Sequence, residues 1–194
     1  IVHLILLAGI AVVVFPFLWM LLTSFKTTGE SLKIPPTFFP EKWTLEAYKT
    51  ITSSTIPFGT VYLNTILSAV ITTVVQIVFC SMAGYAFARI EFPFKNFIFV
   101  LLLSVLMVPG QIFLLPQYQL IQKMGLLNTI PALFLPNLFS AFGTFLLRQF
   151  FMSMPQELED AAIVDGCNRF QIFGRIMVPL IQPGIAALTI FTFK

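Results

Sequence analysis

The sequence predicts an all-α membrane protein, a polytopic helical bundle. Of its 194 residues, 58 % are hydrophobic and only 10 % are charged, whereas a soluble domain carries about 25 % charged residues. Five apolar segments each approach the roughly 20 residues that a bilayer-spanning helix needs. These segments are Ile1–Leu22, Tyr62–Phe87, Phe97–Leu115, Ile130–Leu147 and Ile176–Phe193. The composition therefore excludes an ordinary soluble domain.

The first apolar segment ends in FPFLWMLLTSFK, without a small-residue cleavage site, so we predict a spanning helix and not a removed signal peptide. The mixed loop after it contains prolines, paired charges and Trp43, which favour the membrane interface. We assign this helix and its extracytoplasmic loop to residues 1–57 and the other spans to residues 58–194. The chain starts without Met and ends at Lys194 directly after an apolar run, so we expect a piece of a longer protein.

The later segments carry prolines at or near membrane depth. A proline removes a backbone hydrogen-bond donor and bends a helix, and broken backbone in a bilayer must be buried in protein or face a cavity. Two interpretations stay equally open, a gated path through the bundle or static kinks shaped for packing. The prolines concerned are Pro109, Pro116, Pro131, Pro136, Pro179 and Pro183.

The last four apolar segments contain no Asp, Glu, Lys, Arg or His. Ion-coupled carriers usually bury such groups as partners for the coupling ion, so the composition disfavours that class. Neutral polar residues remain, and the candidates for lining a solute path are Asn64, Gln76, Gln111 and Asn137. The alternative, which is the commoner use of such residues, is hydrogen bonding between helices at about 1 kcal/mol or less each.

Other site chemistry has little support in the sequence. His3 is the only histidine, and the two cysteines, Cys80 and Cys167, form no ligand cluster, so we predict no metal site. The net charge of +3 is assigned to membrane orientation and not to nucleic-acid binding. A Gly-x-x-x-x-Gly-Lys-Ser/Thr nucleotide loop is also missing from the sequence. We therefore predict no catalytic residue and no enzymatic activity.

A polar segment, residues 154–179, interrupts the apolar chain and holds half of the eight acidic residues. Ser153 and Gln156 have the spacing of a capping box, with Pro155 in the first turn, which predicts the start of a helix. Acidic residues in its early turns suit the helix dipole. The four acidic residues of the segment are Glu157, Glu159, Asp160 and Asp165.

The same segment predicts a second helix. Gly166 is expected to end the first helix in the left-handed conformation, and Asn168 with Gln171 repeats the capping pattern. We expect Ala161 and Ala162 to leave a flat surface that another protein's backbone can approach. The density of Arg in and beside this segment, and in the short loop after the second span, predicts that both lie in the cytoplasm.

The polar segment resembles the EAA motif in the coupling loop of bacterial ABC-importer permeases: Glu-Ala-Ala, three residues, Gly, nine residues, Ile, one residue, Leu-Pro. In this chain Asp160-Ala161-Ala162, Gly166, Ile176 and Val178-Pro179 follow that spacing, with Asp for the first Glu and Val for Leu. The similarity covers nearly the whole chain, including NTILSAVITTVVQIVFCSMAGYAFARIEFPFKN. It points to the carbohydrate branch, to the second permease of maltose-type and glycerol-3-phosphate-type importers.

This resemblance implies a MetI-like, type-1 importer permease with six spans, of which five are present. It implies a multi-pass, non-catalytic subunit of the bacterial inner membrane that forms part of the path for a sugar or sugar-like solute. The implied partners are a cytoplasmic ABC ATPase dimer, a second permease subunit and an extracytoplasmic solute-binding protein. ATP and Mg would bind to the ATPase, and this chain would bind no cofactor.

The resemblance also implies a coupling loop, residues 153–176, that transmits ATPase closure to the fourth and fifth spans. The residues expected to couple are Glu157, Asp160, Ala161, Ala162, Asp165, Gly166, Arg169, Ile176 and Pro179. The alternative within the family is an importer of peptides, amino acids or phosphate. An ion-coupled secondary carrier is the less favoured alternative, because the membrane segments hold no carboxylate.

Overall fold

The computed structural model describes residues 2–53 and 55–193, and in these ranges it contains helices and no β-strand. Ile1, where the predicted first span begins, and Lys194, where the chain ends, lie outside the described residues. The prediction of an all-α fold is confirmed. The α-helices are α1 (Val2–Ser24), α2 (Thr28–Ser31), α3 (Glu46–Thr52), α4 (Phe58–Arg89), α5 (Lys95–Ser104), α6 (Leu114–Lys123), α7 (Ile130–Phe134), α8 (Ala141–Met152), α9 (Glu157–Val164), α10 (Arg169–Gln171), α11 (Val178–Leu180) and α12 (Gln182–Phe193).

The second predicted span is the long helix α4, which extends beyond both predicted ends. Its polar residues Thr65, Ser68, Thr72 and Gln76 recur every three or four positions and therefore lie along one face. Arg89 is its last residue, where a cation is favoured by the helix dipole. The result is one long apolar helix with a single polar stripe.

The third, fourth and fifth predicted spans are bent pairs of helices and not straight spans. Residues Lys95–Met107 and Gly110–Lys123 meet at 95°, Ile130–Asn137 and Ala141–Met152 at 49°, and Arg169–Leu180 and Gln182–Phe193 at 75°. Proline stands at or beside each break, where it cannot donate a backbone hydrogen bond. The prolines are Pro109, Pro136 and Pro183.

In the described residues, α4 is the one helix long and apolar enough to cross a membrane by length and composition, or there are up to four such spans if each bent pair counts as one. The apolar stretch Gly9–Ser24 within α1 is shorter. The predicted number of five spans therefore stays a prediction.

The chain divides into two compact units, Ile1–Leu63 and Asn64–Lys194. In the first unit, Lys26 is buried, lies 5.0 Å from the ring centre of Trp19 and donates a hydrogen bond to the carbonyl of Thr37. The carboxylate of Glu30 accepts bonds from the Thr37 hydroxyl and the Glu41 backbone N–H, both at 2.8 Å. The buried side chains of Lys26 and Glu30 thus hold the loop after α1 together through their bonds to Thr37 and Glu41.

The second unit is built around a core where α4, α8, the polar segment and α12 meet. Its fully buried side chains include Cys80, Leu147, Phe151, Met177 and Leu188. These come from four different helical stretches, so the core joins elements that are distant in sequence. It also fixes the position of the polar segment against α4 and α8.

Gly84 allows the close approach of α4 to α8 in this unit. A Cβ atom at this position would lie 3.0 Å from the backbone N of Arg148 and 3.2 Å from the carbonyl carbon of Leu147. Both atoms belong to the backbone of α8, which cannot rotate away as a side chain does. An alanine at this crossing would therefore require α8 to move away by a few tenths of an ångström.

Candidate functional site

The first helix of the polar segment does not begin with the predicted capping box. Ser153 instead ends α8, where its hydroxyl donates to the carbonyl of Phe150 at 2.7 Å. Gln156 is the N-cap of α9 and makes no side-chain cap bond. Its side-chain oxygen accepts a hydrogen bond of 2.5 Å from Arg89. The prediction is wrong because both side chains already bond to other elements.

The end of α9 and the start of α10 follow the prediction. Gly166 has φ of +82°, in the left-handed region that favours glycine. The side chain of Asn168 accepts from the backbone N–H of Gln171 at 2.9 Å, and the side chain of Gln171 accepts from the N–H of Asn168 at 2.8 Å. This reciprocal capping box is confirmed. The polar segment is therefore a helical hairpin with a defined turn.

Glu159 points into the protein and not to solvent, with 1 % of its side chain exposed. Its Oε1 lies 3.2 Å from Nε of Arg89, in a geometry that gives an electrostatic contact without a hydrogen bond. Its Oε2 accepts from the Tyr85 hydroxyl at 3.4 Å and lies 3.9 Å from the Arg169 guanidinium. Two arginines and a phenol thus surround one buried carboxylate.

Arg89 connects three parts of the second unit through one guanidinium group. Besides Gln156, it donates to the carbonyl of Phe151 at 2.8 Å, and it also bonds to the carbonyl of Met154. It therefore holds the end of α8, the link and the start of α9 against the end of α4. In the sequence analysis Arg89 contributed only to the prediction of membrane orientation. Glu159 was counted there among the acidic residues, without a role in the core.

Ala161 and Ala162 do not form a shared flat surface. Ala161 is exposed, whereas Ala162 is 5 % exposed and packs into the core beside Tyr85 and Met177. Glu159 and Ala162 are three positions apart and therefore share the inward face of α9. That spacing is a sequence signal that the two residues share a face, although it does not say which way the face points.

The outward face of the hairpin carries most of the predicted coupling residues. Ile176 is half-buried and Ala162 is buried. The exposed ones are Glu157, Asp160, Ala161, Asp165, Gly166, Arg169 and Pro179. Two large apolar side chains that the sequence analysis missed, Val164 and Phe170, are 86 % and 83 % exposed. The hairpin thus presents acids beside apolar groups, a combination that suits a protein partner.

A polar cleft of about 560 Å³ lies elsewhere in the second unit. Its polar lining comes from the stripe on α4, from the break before α8 and from α12. In the part of the chain that the structure describes, no charged residue lines this cleft. The lining residues are Thr65, Ser68, Ala69, Thr72, Gln76, Leu133, Asn137, Ser140, Phe142, Leu188, Phe191 and Thr192.

The cleft contains two of the four predicted path residues. Gln76 and Asn137 line it, whereas Asn64 and Gln111 do not. The side-chain amide of Gln76 donates to the backbone carbonyl of Asn137, and its oxygen accepts from the Thr192 hydroxyl at 3.1 Å. Gln76 therefore lines the cleft and bonds helices together, so the two interpretations of this residue are compatible.

The described residues thus combine bent helices, a cleft lined by neutral polar groups and an acidic helical hairpin. Residues 76–193 match the family described as binding-protein-dependent transport system inner membrane component. The chain belongs to this family, and its predicted localisation in the inner membrane is confirmed.

Curated relatives agree with this family. The chain is 37 % identical over 181 residues to the arabinooligosaccharides transport system permease protein AraQ of Halalkalibacterium halodurans, covering 92 % of this chain and 65 % of the relative. It is 35 % identical over 194 residues to the diacetylchitobiose uptake system permease protein NgcG of Streptomyces coelicolor, covering 98 % of this chain and 63 % of the relative. The chain thus spans slightly less than two thirds of these relatives. The predicted resemblance to sugar ABC-importer permeases is confirmed.

A solved structure shares the fold. A bacterial ABC transporter involved in the import of the acidic polysaccharide alginate matches with a TM-score of 0.83 at 22 % identity, covering 99 % of this chain and 68 % of that chain. The predicted fold class, a MetI-like importer permease, is confirmed.

Proposed function

We propose that the full-length protein is a permease subunit of an ATP-driven importer for a sugar or sugar-like solute. The observation that carries this proposal is the acidic helical hairpin with an exposed face, in a chain of the importer family. As a coupling loop, residues 153–176 would dock on a cytoplasmic ABC ATPase dimer through α9. A second permease and an extracytoplasmic solute-binding protein complete the proposed complex.

The cleft supports a neutral, hydroxylated solute, because its lining supplies hydroxyl and amide groups without charge. The two named relatives serve arabinooligosaccharides and diacetylchitobiose, which are solutes of this chemistry. ATP and Mg belong to the ATPase in this proposal, and the chain itself is a transport subunit that binds no cofactor. The energy source is thus separate from the solute path.

The docking test is a cross-link in the full-length complex. Ala161→Cys, in a background with Cys167→Ser, should form an ATP-sensitive disulfide with cysteines placed along the ATPase groove. Ala162→Cys is the matched control. Ala162 is the next residue along α9 and is buried, so a cysteine there should form no cross-link. An intact complex without a cross-link from Ala161→Cys at any groove position would contradict the docking role.

The solute is tested by uptake in cells that express the full complex. The neutral solutes arabinooligosaccharides and diacetylchitobiose should include a substrate, whereas peptides, amino acids and phosphate should not. Uptake should stop with vanadate and survive a protonophore. The reverse pattern of inhibition would indicate an ion-coupled carrier, and uptake of a peptide or amino acid would move the protein to another branch of the family.

A further inference from the structure

Arg89 and Glu159 form a buried ion pair, and burial of two charges costs desolvation free energy. Only 8 % of the Arg89 side chain and 1 % of the Glu159 side chain are exposed. Removing two charges from water can cost more than their attraction returns, so a buried ion pair is weak support for stability alone. Such pairs can instead specify one arrangement of the elements that they join.

Arg89 joins the polar segment to the helix that lines the cleft. It contacts Glu159 and Gln156 of the hairpin and the end of α8 at the carbonyl of Phe151. It is also the last residue of α4, whose residues Thr72 and Gln76 line the polar cleft. One side chain therefore connects the hairpin to the cleft through a continuous α-helix.

The covalent route from the hairpin to the cleft is less regular. After α10 the chain forms a π-helical stretch, Ile172–Met177, and then bends by 75° between Leu180 and Gln182 before α12 reaches the cleft. If α9 is displaced, the bend on this route can absorb the displacement before it reaches α12. The route through Arg89 has no break between Phe58 and Arg89.

We propose that Arg89 is a positioning residue that makes the hairpin and α4 move as one body, so that a displacement of the coupling loop reaches the polar cleft through α4. This inference rests on the proposed function, in which the ATPase displaces the loop. The sequence led us to expect transmission to the fourth and fifth spans. The geometry adds the second span as the direct connection.

The experiment uses the full-length protein in its assembled complex, reconstituted in lipid. Spin labels at Ile163→Cys on α9 and Val78→Cys on α4, in a background with Cys167→Ser, report the distance between the two helices. Both positions are exposed, and the native Cys80 is fully buried. In the unmodified complex this distance should stay the same when ATP binds, because the two helices move together.

The variants remove the connection in two ways. Arg89→Gln combined with Glu159→Gln removes both charges and leaves no unpaired ion in the core, and Arg89→Lys keeps the charge but not the fork of donors. In each, ATP should change the distance between the labels. Solute transported per ATP hydrolysed should fall, because displacement of the loop no longer reaches the cleft through α4. The cross-link of the loop to the ATPase should persist.

Glu91→Gln is the matched control, because Glu91 is exposed and, among the residues that the structure describes, pairs with Lys95 at the start of α5 and not with the hairpin. It should keep the transport ratio and the fixed distance. A change of several ångströms between the labels in the unmodified complex would overturn the inference, and so would normal transport per ATP in an assembled double variant. Failure of the loop to cross-link in the unmodified complex is a separate result, which would remove the proposed function and this inference with it.

Discussion

At the scale of single residues, Gly84 sets the distance between α4 and α8. A Cβ atom there meets the α8 backbone at 3.0 Å, so Gly84→Ala should push the two helices apart. Overpacking of this kind costs about 1–3 kcal/mol. Thermal unfolding of the full-length protein should show a lower midpoint.

Gly174→Ala is the control for this substitution. A Cβ atom at Gly174 has no neighbour within 4 Å, and alanine is the better helix former by about 1 kcal/mol. Its midpoint should be unchanged or higher. Equal midpoints for the two variants would show that the α4–α8 crossing tolerates a methyl group.

Residues that set the backbone conformation at helix ends were predictable from the sequence, whereas the direction in which individual side chains point was not. Gly166 and Asn168 follow local rules of helix ends, which neighbours along the chain define. The inward direction of Glu159 and Ala162 depends on where α4 and α8 lie, and these elements are distant in sequence. Local patterns do not contain that information.

At the scale of elements, the capping box of α10 gives a direct test. Asn168→Ala removes the bond to the Gln171 N–H and should cost about 1 kcal/mol. Amide exchange at Gln171 and Ile172 should become faster. Ser153→Ala is the control, because the Ser153 hydroxyl bonds within the last turn of α8 and caps no helix start. Faster exchange at α9 in that control would restore the original capping prediction for Ser153.

The loop after α1 should respond to acid through Glu30. The hydrogen bonds from the Glu41 N–H and the Thr37 hydroxyl hold the pKa of the Glu30 carboxyl below its usual value of 4.5. A lowered folded-state pKa stabilises the loop above that usual value, and the stabilisation is lost as the pH falls through the folded-state pKa. Amide exchange across residues 27–42 should therefore accelerate in acid relative to Glu30→Gln, which cannot ionise. Identical profiles for the two proteins would contradict this role.

The existence of helices was predictable from hydropathy, but their bends were only partly so. Pro109, Pro136 and Pro183 mark the three breaks, and the sequence analysis left kinks as one of two interpretations. A proline in the sequence predicts that a helix is interrupted, but it does not predict the angle between the two parts. The angles of 95°, 49° and 75° differ although a proline stands at or beside each break, so the proline alone does not determine them.

At the scale of the second unit, Gln76 holds three elements together around the cleft. Gln76→Ala removes its bonds to the Asn137 carbonyl and the Thr192 hydroxyl. Hydrogen bonds of this kind in a membrane bundle average about 0.6 kcal/mol each. Loss of both bonds should therefore favour opening of the cleft by about fivefold to tenfold. A water-soluble thiol reagent should label Ser68→Cys in the cleft correspondingly faster.

Thr73→Val is the control for the cleft. The Thr73 hydroxyl donates to the carbonyl of Ala69 in its own helix, so its loss should leave the bundle and the labelling rate unchanged. Equal labelling in the Gln76→Ala and Thr73→Val proteins would show that Gln76 does not restrain the cleft.

The unbroken length of α4 has a mechanical consequence. From Arg89 to Ser68 the helix extends for about 30 Å at 1.5 Å per residue. Over that length, an angular displacement of about 5° at the Arg89 end shifts the Ser68 end sideways by about 3 Å, roughly the diameter of a water molecule. A small rotation at the hairpin would therefore shift this wall of the cleft by about the diameter of a water molecule.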